Sequence, residues 1–600
     1  MSAELNNLPR WDLGDLYPGA NSPEIEADFK TAMTEATVFS ETYRGTLSDL
    51  DGAGLGEAIA SYEALGETLG RIMSYAHLVF TGDQSDPEVT RFFQSAQERV
   101  TDISTHLLFF ALELNRLDDE VLAEKMKDEN AAHYAPWLRD VRVLRAHQLS
   151  DDLEGLFHEK HVAGSAAWTR LFEETMTGLR FPFIGAPGTD ASSETKELTE
   201  TEILDLMSDP DGATRKQAAT SLGNVLDSNI RLFALITNTL AKDKEVEDKW
   251  RHYERPVSQR NRANHVEDGV VDALADSVCR AYPNLSHRYY TMKARWLGVD
   301  KLDYWDRNAP LPQEDGRLIP WDEARTMILD AYGGFCGEMA DLGGKFFEKP
   351  WIDAPARAGK ASGAFSHPTV PSAHPYILLN YQGRIRDVMV LAHELGHGVH
   401  QLLAAPQGTL MSDTPLTLAE TASVFGEMLV FRAVLEKQSD PAQRKAMMAG
   451  KVEDMLNTVV RQIAMYRFEE MVHNERHGGE LTAERLGEIW TKVQTEALGP
   501  AFQLGGNFRH FWAYIPHFIH TPFYVYAYAF GDCLVNSLYA AYQDIPAGFA
   551  EKYLEMLRAG GTLRHKELLA PFGLDATDPA FWDKGLSVLS GFIDELEAMD

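Results

Sequence analysis

The chain has 600 residues, which is long enough for a large buried core. Its 56 Lys and Arg against 90 Asp and Glu give a net charge of −34, which would repel a phosphate backbone, so we expect no nucleic-acid partner. Cys279, Cys336 and Cys533 lie too far apart for a disulfide framework or a thiolate metal site and predict a reduced, cytoplasmic protein. No window offers the roughly 18 apolar residues of a membrane span, so we expect no membrane partner.

The N-terminal third is predicted to be helical. From Ser22 to about Lys160 the apolar residues recur at intervals of three and four, as they do through Ile72, Tyr75 and Val79. Between Gly178 and Thr201 a short apolar run leads into a stretch rich in Gly, Pro, Ser and Asp. This change predicts a hairpin or an exposed excursion, and we expect the domain boundary here.

After Glu202 the helical periodicity resumes, so the chain as a whole is predicted to be mainly α. One further exception runs from Gly359 to Gly383, where loops rich in Gly, Pro and Ser surround Tyr376–Tyr381. That apolar run predicts a strand, and therefore a small sheet within a helical protein.

The strongest chemical signal is the sequence HELGH, His393 to His397, inside an apolar periodic segment. Residues four apart share one face of a helix, so His393 and His397 can reach the same zinc ion. Glu394 is rotated by about 100° from His393 on the helix and can hold a water molecule instead of the metal. This pattern predicts two zinc ligands and a catalytic base from one helical turn.

A catalytic zinc site needs a third protein ligand and an open position. No Glu lies 19 or 20 residues after His397, and no His lies six residues after it, so two common zincin patterns are absent. Glu420, 27 residues after His393, lies in a second predicted helix and is the expected third ligand. Glu427 shares its face and is the alternative, although it fits better as a hydrogen-bond acceptor for a ligand histidine. His400 shares the face of the two ligand histidines, and we expect a supporting or core role for it.

These residues resemble a known family, the thimet oligopeptidase superfamily of zinc peptidases, and specifically its oligoendopeptidase F branch. The resemblance spans nearly the whole chain. It is carried by HELGHGVHQ at His393–Gln401 with ETASVFGE from Glu420, by WDLGDLYPG at Trp11–Gly19, by GK at Gly359–Lys360 with SGAF at Ser362–Phe365, and by His517–Tyr528.

The resemblance implies a fold and a set of site residues. It implies two helical halves around a deep substrate channel, with a small β-sheet beside the zincin HExxH helix, and it makes 1–195 the N-terminal helical domain and 196–600 the catalytic domain. It implies that Glu420 ligates zinc and that an extended peptide can pair with the strand at Tyr376–Tyr381. It further implies that His517 and a tyrosine of Phe523–Tyr528 stabilise the oxyanion of the tetrahedral intermediate. Tyr524, Tyr526 and Tyr528 are open candidates, and Tyr528 and Tyr524 are the expected ones.

The predicted function is that of a zinc metalloendopeptidase which cuts internal bonds of short oligopeptides, with one Zn²⁺ per chain and Glu394 as general base. Two alternatives stay open: a zinc carboxypeptidase-type exopeptidase and a non-catalytic peptide-binding protein. Cobalt or manganese could occupy the same ligands. The sequence does not indicate the cleavage preference or the oligomeric state.

Overall fold

The structure is a computed structural model that describes residues 8–184, 195–310 and 317–600. It is 71% helical with small sheets, which confirms the mainly α prediction. None of the described helices combines the length and the apolar run that a membrane crossing needs.

The helices up to the hairpin region confirm the prediction for the N-terminal third. They are α1 Pro23–Tyr43, α2 Gly52–Gly82, α3 Pro87–Thr105, α4 Leu108–Arg116, α5 Asp119–Lys125, α6 Glu129–His133, α7 Ala135–Val141, α8 Asp151–Ala163 and α9 Ser165–Gly178. Several begin at an Asp or Ser whose side chain accepts an N–H of the first turn, as Ser22 does for α1 and Asp51 for α2.

The elements that follow are again mostly helices. They are β1 Phe181–Ile184, β2 Thr195–Leu198, α10 Glu200–Asp205, α11 Gly212–Trp250, α12 Ser258–Ala263, α13 Asp268–Ala281, α14 Ser286–Trp296, β3 Leu302–Asp303, α15 Trp321–Phe335, α16 Gly337–Glu348, β4 Ile352–Pro355, β5 Phe365–His367, β6 Tyr376–Tyr381 and α17 Ile385–Ala404. The remaining elements are α18 Leu416–Ala419, α19 Thr421–Lys437, α20 Pro441–Thr458, α21 Val460–Arg476, α22 Ala483–Leu498, β7 Phe502–Gln503, α23 His517–His520, α24 Tyr526–Asp544, α25 Phe549–Arg558, α26 His565–Leu569 and α27 Pro579–Ala598.

The described residues form two compact units, and each unit is built from separate stretches of the chain. Unit 1 takes residues from 1–146, 316–437 and 541–574, and unit 2 takes residues from 147–315, 438–540 and 575–600. The predicted domain boundary at 195/196 and the expected channel stay predictions.

Unit 1 holds a hydrophobic core to which α1 to α7 contribute most of the side chains. Tyr376 of β6 and Met411 join this core from the middle of the chain. Burial of these apolar side chains stabilises unit 1, because each fully buried side chain contributes about 1.5–3 kcal/mol.

The three-stranded sheet of unit 1 has the order β4-β6-β5. β6 pairs parallel with β4 and antiparallel with β5. The strand predicted at Tyr376–Tyr381 is therefore confirmed. β6 is the central strand of this sheet, and β5 forms its edge. The expectation that a peptide pairs with β6 is wrong at Ile377 and Leu378, because β4 and β5 already pair with these residues from the two sides.

A buried lysine links two strands of this sheet by hydrogen bonds. The Lys360 ammonium donates to the backbone carbonyls of Asp353 on β4 and Leu379 on β6, and to the Asp353 carboxylate at 3.1 Å. The preceding residue, Gly359, has φ +82°, and an added Cβ there would lie 2.3 Å from Oδ1 of Asp83. A glycine is required at this position, both for the backbone angle and for the close approach to Asp83.

The helix predicted for the HELGH motif is α17, and it packs against other elements of unit 1. Its start is set by Asp387, whose carboxylate accepts the backbone N–H groups of Arg384 and Gln382, each at 2.9 Å. It packs against α16, α19, α25, β5 and β6. At Gly396 an added Cβ would lie 2.5 Å from the Ala422 carbonyl oxygen, so glycine permits the close approach of α17 and α19.

Unit 2 contains the predicted hairpin and the longest described helix. β1 and β2 pair antiparallel from Phe181 opposite Leu198 to Ile184 opposite Thr195, while the connecting residues 185–194 lie outside the described part of the chain. α11 has 39 residues. The two-residue strands β3 and β7 pair in parallel.

Candidate active site

Three side chains of unit 1 converge as potential metal ligands. His393 and His397 lie on α17 with their ring centroids 5.0 Å apart. Oε2 of Glu420 lies 3.4 Å from Nε2 of His393 and 3.5 Å from Nε2 of His397. One nitrogen or oxygen atom from each of the three residues lies within 4.8 Å of the others, and these side chains are partly buried. Among the described residues, no other group of three or more His, Cys, Asp or Glu side chains meets this condition.

Glu420 occupies a break between helices, although the sequence places it inside one. It follows the last residue of α18 and precedes the first residue of α19. The Ser423 hydroxyl donates to Glu420 Oε2 at 2.6 Å, which fixes the orientation of the carboxylate. On the other side, the Tyr553 hydroxyl on α25 donates to the Thr421 carbonyl at 2.9 Å. The Glu420 carboxylate and the neighbouring backbone carbonyl of Thr421 therefore each have a hydrogen-bond donor.

The chemistry and spacing of these donors fit zinc. Zinc bonds imidazole nitrogen and carboxylate oxygen at about 2.0–2.2 Å, so the ligand atoms of a tetrahedral site lie about 3.3–3.5 Å apart. The two measured separations from Glu420 Oε2, 3.4 and 3.5 Å, match this spacing. Three protein ligands leave the fourth position open, as in catalytic zinc sites.

Glu427 on α19 contacts the Nδ1 side of the His393 ring. Nδ1 of His393 donates to Glu427 Oε2 at 3.3 Å, and this contact leaves Nε2 as the atom that points toward Glu420. Burial alone would lower the pKa of His393, but the bond to Glu427 and the nearby carboxylates of Glu420 and Glu394 raise it overall. Glu427 is therefore the hydrogen-bond partner of a candidate metal ligand.

Glu394 is buried, with 8% of its surface exposed. Burial raises the pKa of this carboxyl to about 7, and the negative charge of Glu420 adds to the rise. The positive charge of His393 and a backbone N–H bond from Ser366 on β5 act in the opposite direction. A carboxyl group with a pKa near neutrality can both take and return a proton, as a general base must.

His400 lies outside the group of three. It is buried, and burial together with neighbouring His397 lowers its pKa to about 4. Its Nε2 lies 3.4 Å from the Thr414 hydroxyl, and the ring also bonds the backbone of Ala419. These contacts place His400 in the packing behind the site.

The other predicted site residues belong to unit 2, where they contact one another. The Tyr528 hydroxyl lies 3.4 Å from His517 Nε2, and the Tyr524 ring lies 6.0 Å from the His517 ring and 5.4 Å from the Tyr528 ring. Tyr528 is 39% exposed, whereas Tyr526 is fully buried with its hydroxyl accepting from Asn264 at 2.8 Å. Tyr528 and Tyr524 are thus grouped with His517, while the intervening tyrosine packs inside the unit.

Sequence reasoning did not single out Ser366, Gln401 and Ser423. Gln401 bonds Ser366, and Ser423 bonds Glu420. The Ser366 backbone lowers the pKa of Glu394. Their sequence positions carry no chemical signature, since serine and glutamine are common surface residues. The contact between β5 and α17 that gives two of them a role depends on tertiary structure.

Two family models match the chain. The model described as Peptidase family M3 matches residues 337–588, and the model described as Oligopeptidase F matches residues 113–181. Together they cover more than half of the chain, and the first contains the three ligand candidates and Glu394.

Curated relatives match along nearly the full length. Oligopeptidase PepF of Bacillus subtilis is 24% identical over 608 residues, a match that covers 100% of this chain and 88% of the relative. An oligoendopeptidase F homolog of Lactococcus lactis is 25% identical over 613 residues, covering 99% of this chain and 98% of the relative.

Solved structures share the fold. A candidate peptidase from Chlamydophila abortus aligns with a TM-score of 0.86 at 23% identity over 98% of both chains. Oligoendopeptidase-F from Enterococcus faecium aligns with a TM-score of 0.72 at 23% identity, over 96% of this chain and 98% of the other. The family matches and the curated relatives confirm the resemblance found in the sequence: the chain is a metalloendopeptidase similar to peptidase family M3 and to oligoendopeptidase F proteins.

Proposed function

We propose that the protein is a zinc-dependent endopeptidase that hydrolyses internal bonds of short oligopeptides, with zinc held by His393, His397 and Glu420. The observation that carries this proposal is the convergence of these three side chains with Glu394 adjacent on the same helix. The names of the relatives, oligopeptidase and oligoendopeptidase, support the substrate class.

Zinc held by this ligand set would supply a Lewis acid that polarises a carbonyl group and a water molecule. Glu394 takes a proton from the attacking water as the water oxygen bonds to the scissile carbonyl carbon. It then delivers that proton to the amine nitrogen as the carbon–nitrogen bond breaks. Burial of Glu394 supports this role, because burial raises the pKa of the carboxyl group and so makes the carboxylate a stronger base.

His517 and Tyr528 are the proposed donors to the oxyanion, with Tyr524 as the alternative tyrosine. The contact between Tyr528 and His517 supports the assignment, because a hydroxyl that is held in place loses less freedom when it donates to the oxyanion. The exposure of Tyr528 leaves its hydroxyl accessible.

The deciding experiment uses an internally quenched peptide of about ten residues with both ends blocked. We expect the wild type to cut an internal bond and to lose this activity with a chelator. Glu394→Gln should keep its metal, because Glu394 is not a ligand, and should lose at least about a hundredfold in rate. Metal content is measured on both proteins.

Two outcomes would contradict the proposal. Trimming of peptides with free ends, with no cleavage of blocked peptides, would indicate an exopeptidase. Bound zinc without any hydrolysis would indicate a peptide-binding protein.

A further inference from the structure

Within unit 2, the turn that carries Tyr524 contacts an arginine of α12. Nε of Arg260 donates to the Pro522 carbonyl at 3.2 Å, and the guanidinium carbon lies 5.9 Å from the centre of the Tyr524 ring. A guanidinium at this distance is attracted by the negative face of an aromatic ring. Because the Tyr524 ring also contacts His517 and Tyr528, the positive charge of Arg260 lies next to the group of proposed oxyanion donors.

Hydrogen bonds on either side of Arg260 hold α12 in place. The Asp268 carboxylate accepts from the Asn261 amide at 2.8 Å. Asn264, which follows the last residue of α12, donates to the Tyr526 hydroxyl at 2.8 Å. Asn261 and Asn264 are both buried. The backbone of Arg260 is therefore held against the tyrosine turn, so less conformational freedom is lost when its side chain binds a ligand.

The guanidinium of Arg260 has donors that the described residues do not use. An arginine side chain donates from Nε, Nη1 and Nη2, and only Nε of Arg260 has a partner within the described part of the chain. Nη1 and Nη2 are not buried. Glu469, whose carboxylate accepts the Phe523 N–H of the same turn, forms no ion pair with Arg260. By contrast, Arg255 just before α12 bonds both oxygens of Asp272 through Nη1 and Nη2, at 2.8 and 2.9 Å.

The ligand that suits these free donors is a carboxylate. Two parallel N–H groups of a guanidinium match the two oxygens of a carboxylate, and this pairing is among the stronger hydrogen-bonded contacts in proteins. The chain as a whole carries a net charge of −34, which disfavours the approach of an anionic peptide. A local positive group is therefore needed wherever such a peptide is to bind.

We propose that Arg260 binds a carboxylate of the oligopeptide substrate beside Tyr524, either the C-terminal carboxylate or the side chain of Asp or Glu. This inference rests on the proposed function, because it takes the tyrosine group as the surroundings of the cleaved bond. The guanidinium lies 5.9 Å from the Tyr524 ring, which lies 5.4 Å from the Tyr528 ring, so about three extended residues span the whole distance. The carboxylate therefore lies within about three residues of the cleaved bond.

The first test compares peptides that differ by one negative charge. In an end-blocked, internally quenched series, Glu is compared with Gln at each of the three positions on either side of the cleaved bond. In a second series, a free C-terminal carboxylate is compared with the amide. We expect the wild type to prefer the charged member of at least one pair by about tenfold or more in kcat/KM, because a hydrogen bond to a charged group is lost in the neutral member. The first series reports a side-chain carboxylate and the second the C-terminal one.

Arginine variants test whether Arg260 causes this preference. Arg260→Gln should reduce the ratio of the two kcat/KM values to within about twofold of one, because glutamine carries no charge. Arg260→Lys keeps the charge but loses the Nε bond to Pro522, and it should keep part of the preference. The control, Arg262→Gln, removes the charge of an exposed arginine on the same helix and should leave the preference unchanged.

The last measurement needs no turnover. In a Glu394→Gln background, calorimetry should show the same ratio of about tenfold between the Kd values of the charged and neutral peptides, and adding Arg260→Gln should remove it. A wild type without preference in either series would overturn the proposal, as would a preference that survives in Arg260→Gln. An equal loss on both members of a pair would indicate that Arg260 only supports the turn. A wild type that cleaves no peptide contradicts the proposed function instead, while the binding ratio still tests Arg260.

Discussion

Glu427 contacts a candidate metal ligand and does not belong to the group of three. Its bond to Nδ1 of His393 fixes which ring nitrogen is available and supports the basicity of the other. The carboxylate would therefore act on a bound metal ion through the imidazole. A residue in this position affects metal affinity, and its effect on substrate binding should be small.

We predict that Glu427→Gln lowers the affinity for zinc by about ten- to a hundredfold. A loss of this size is typical when the hydrogen-bond partner of a metal-binding histidine is removed. The measurement is competition with a chelator of known affinity. Glu436→Gln, an exposed carboxylate on the same helix, is the control and should leave the affinity unchanged. Equal affinities of Glu427→Gln and the wild type would show that the His393 contact does not support metal binding.

A second prediction at the residue scale concerns Tyr528. Tyr528→Phe should lower kcat about a hundredfold at nearly constant KM, because an oxyanion donor acts on the transition state and contributes little to substrate binding. Steady-state kinetics of Tyr528→Phe and Tyr524→Phe, measured side by side, separate the two candidates. A loss confined to Tyr524→Phe would move the assignment to Tyr524.

At the scale of elements, the turn between α23 and α24 is held in a strained conformation. Phe523 has φ +60°, which is unfavourable for a bulky side chain. Its backbone N–H donates at 2.8 Å to Glu469 of α21, a buried carboxyl group whose Oε2 has no hydrogen-bond partner among the described residues. Tyr524 follows Phe523 directly, so this bond also places an aromatic residue of the proposed site.

Glu469 predicts a dependence of stability on pH. Burial raises its pKa to about 8 from an ordinary 4.5, although the N–H of Phe523 and the charges of Arg260 and Lys244 lower it. The His473 pKa is lowered to about 3, so His473 carries no charge in this range. Between pH 4.5 and 8 the folded chain keeps a proton that the unfolded chain releases, so this contribution to stability decreases as pH rises, by up to about 1.4 kcal/mol per unit.

The measurement compares thermal midpoints of the wild type and Glu469→Gln at pH 5 and pH 8. Glutamine keeps an acceptor for the Phe523 N–H and cannot ionise, so the variant should gain stability relative to the wild type at pH 8. A difference that is the same at both pH values would show that Glu469 titrates normally.

At the scale of the molecule, unit 1 joins residues from both sides of the predicted boundary at 195/196. Its core combines side chains of α1 to α7 with Tyr376 on β6. A fragment of residues 196–600 would lack most of this core. We predict that the fragment fails to unfold cooperatively and binds less than one zinc per chain, measured by circular dichroism and metal analysis. A folded fragment with one zinc would support the boundary.

Local features of the site were predictable from the sequence. His393, Glu394 and His397 lie within one helical turn, so their spacing alone places them together. Glu420 could be selected because few acidic residues follow the motif helix at a reachable distance. The contact between Ser366 and Gln401 could not be predicted, because it arises from a strand packed on a helix, and periodicity carries no information on such contacts.

The fold was predictable to a similar extent. Apolar periodicity identified the helices, the hairpin and the strand at Tyr376–Tyr381, since each of these patterns is local. The order of strands in the sheet depends on the loops between them, so the sequence did not predict that β6 is the central strand and β5 the edge strand. The division into two discontinuous units likewise depends on contacts between distant parts of the chain.

The contact of α25 with the segment of Glu420 has a consequence for biosynthesis. The Tyr553 hydroxyl supports the Thr421 carbonyl from 132 residues further along the chain. During translation, the ribosome releases the candidate metal ligands well before it releases α25. The segment of Glu420 therefore lacks this support in the nascent chain, and hydrolytic activity should mature only when synthesis is nearly complete.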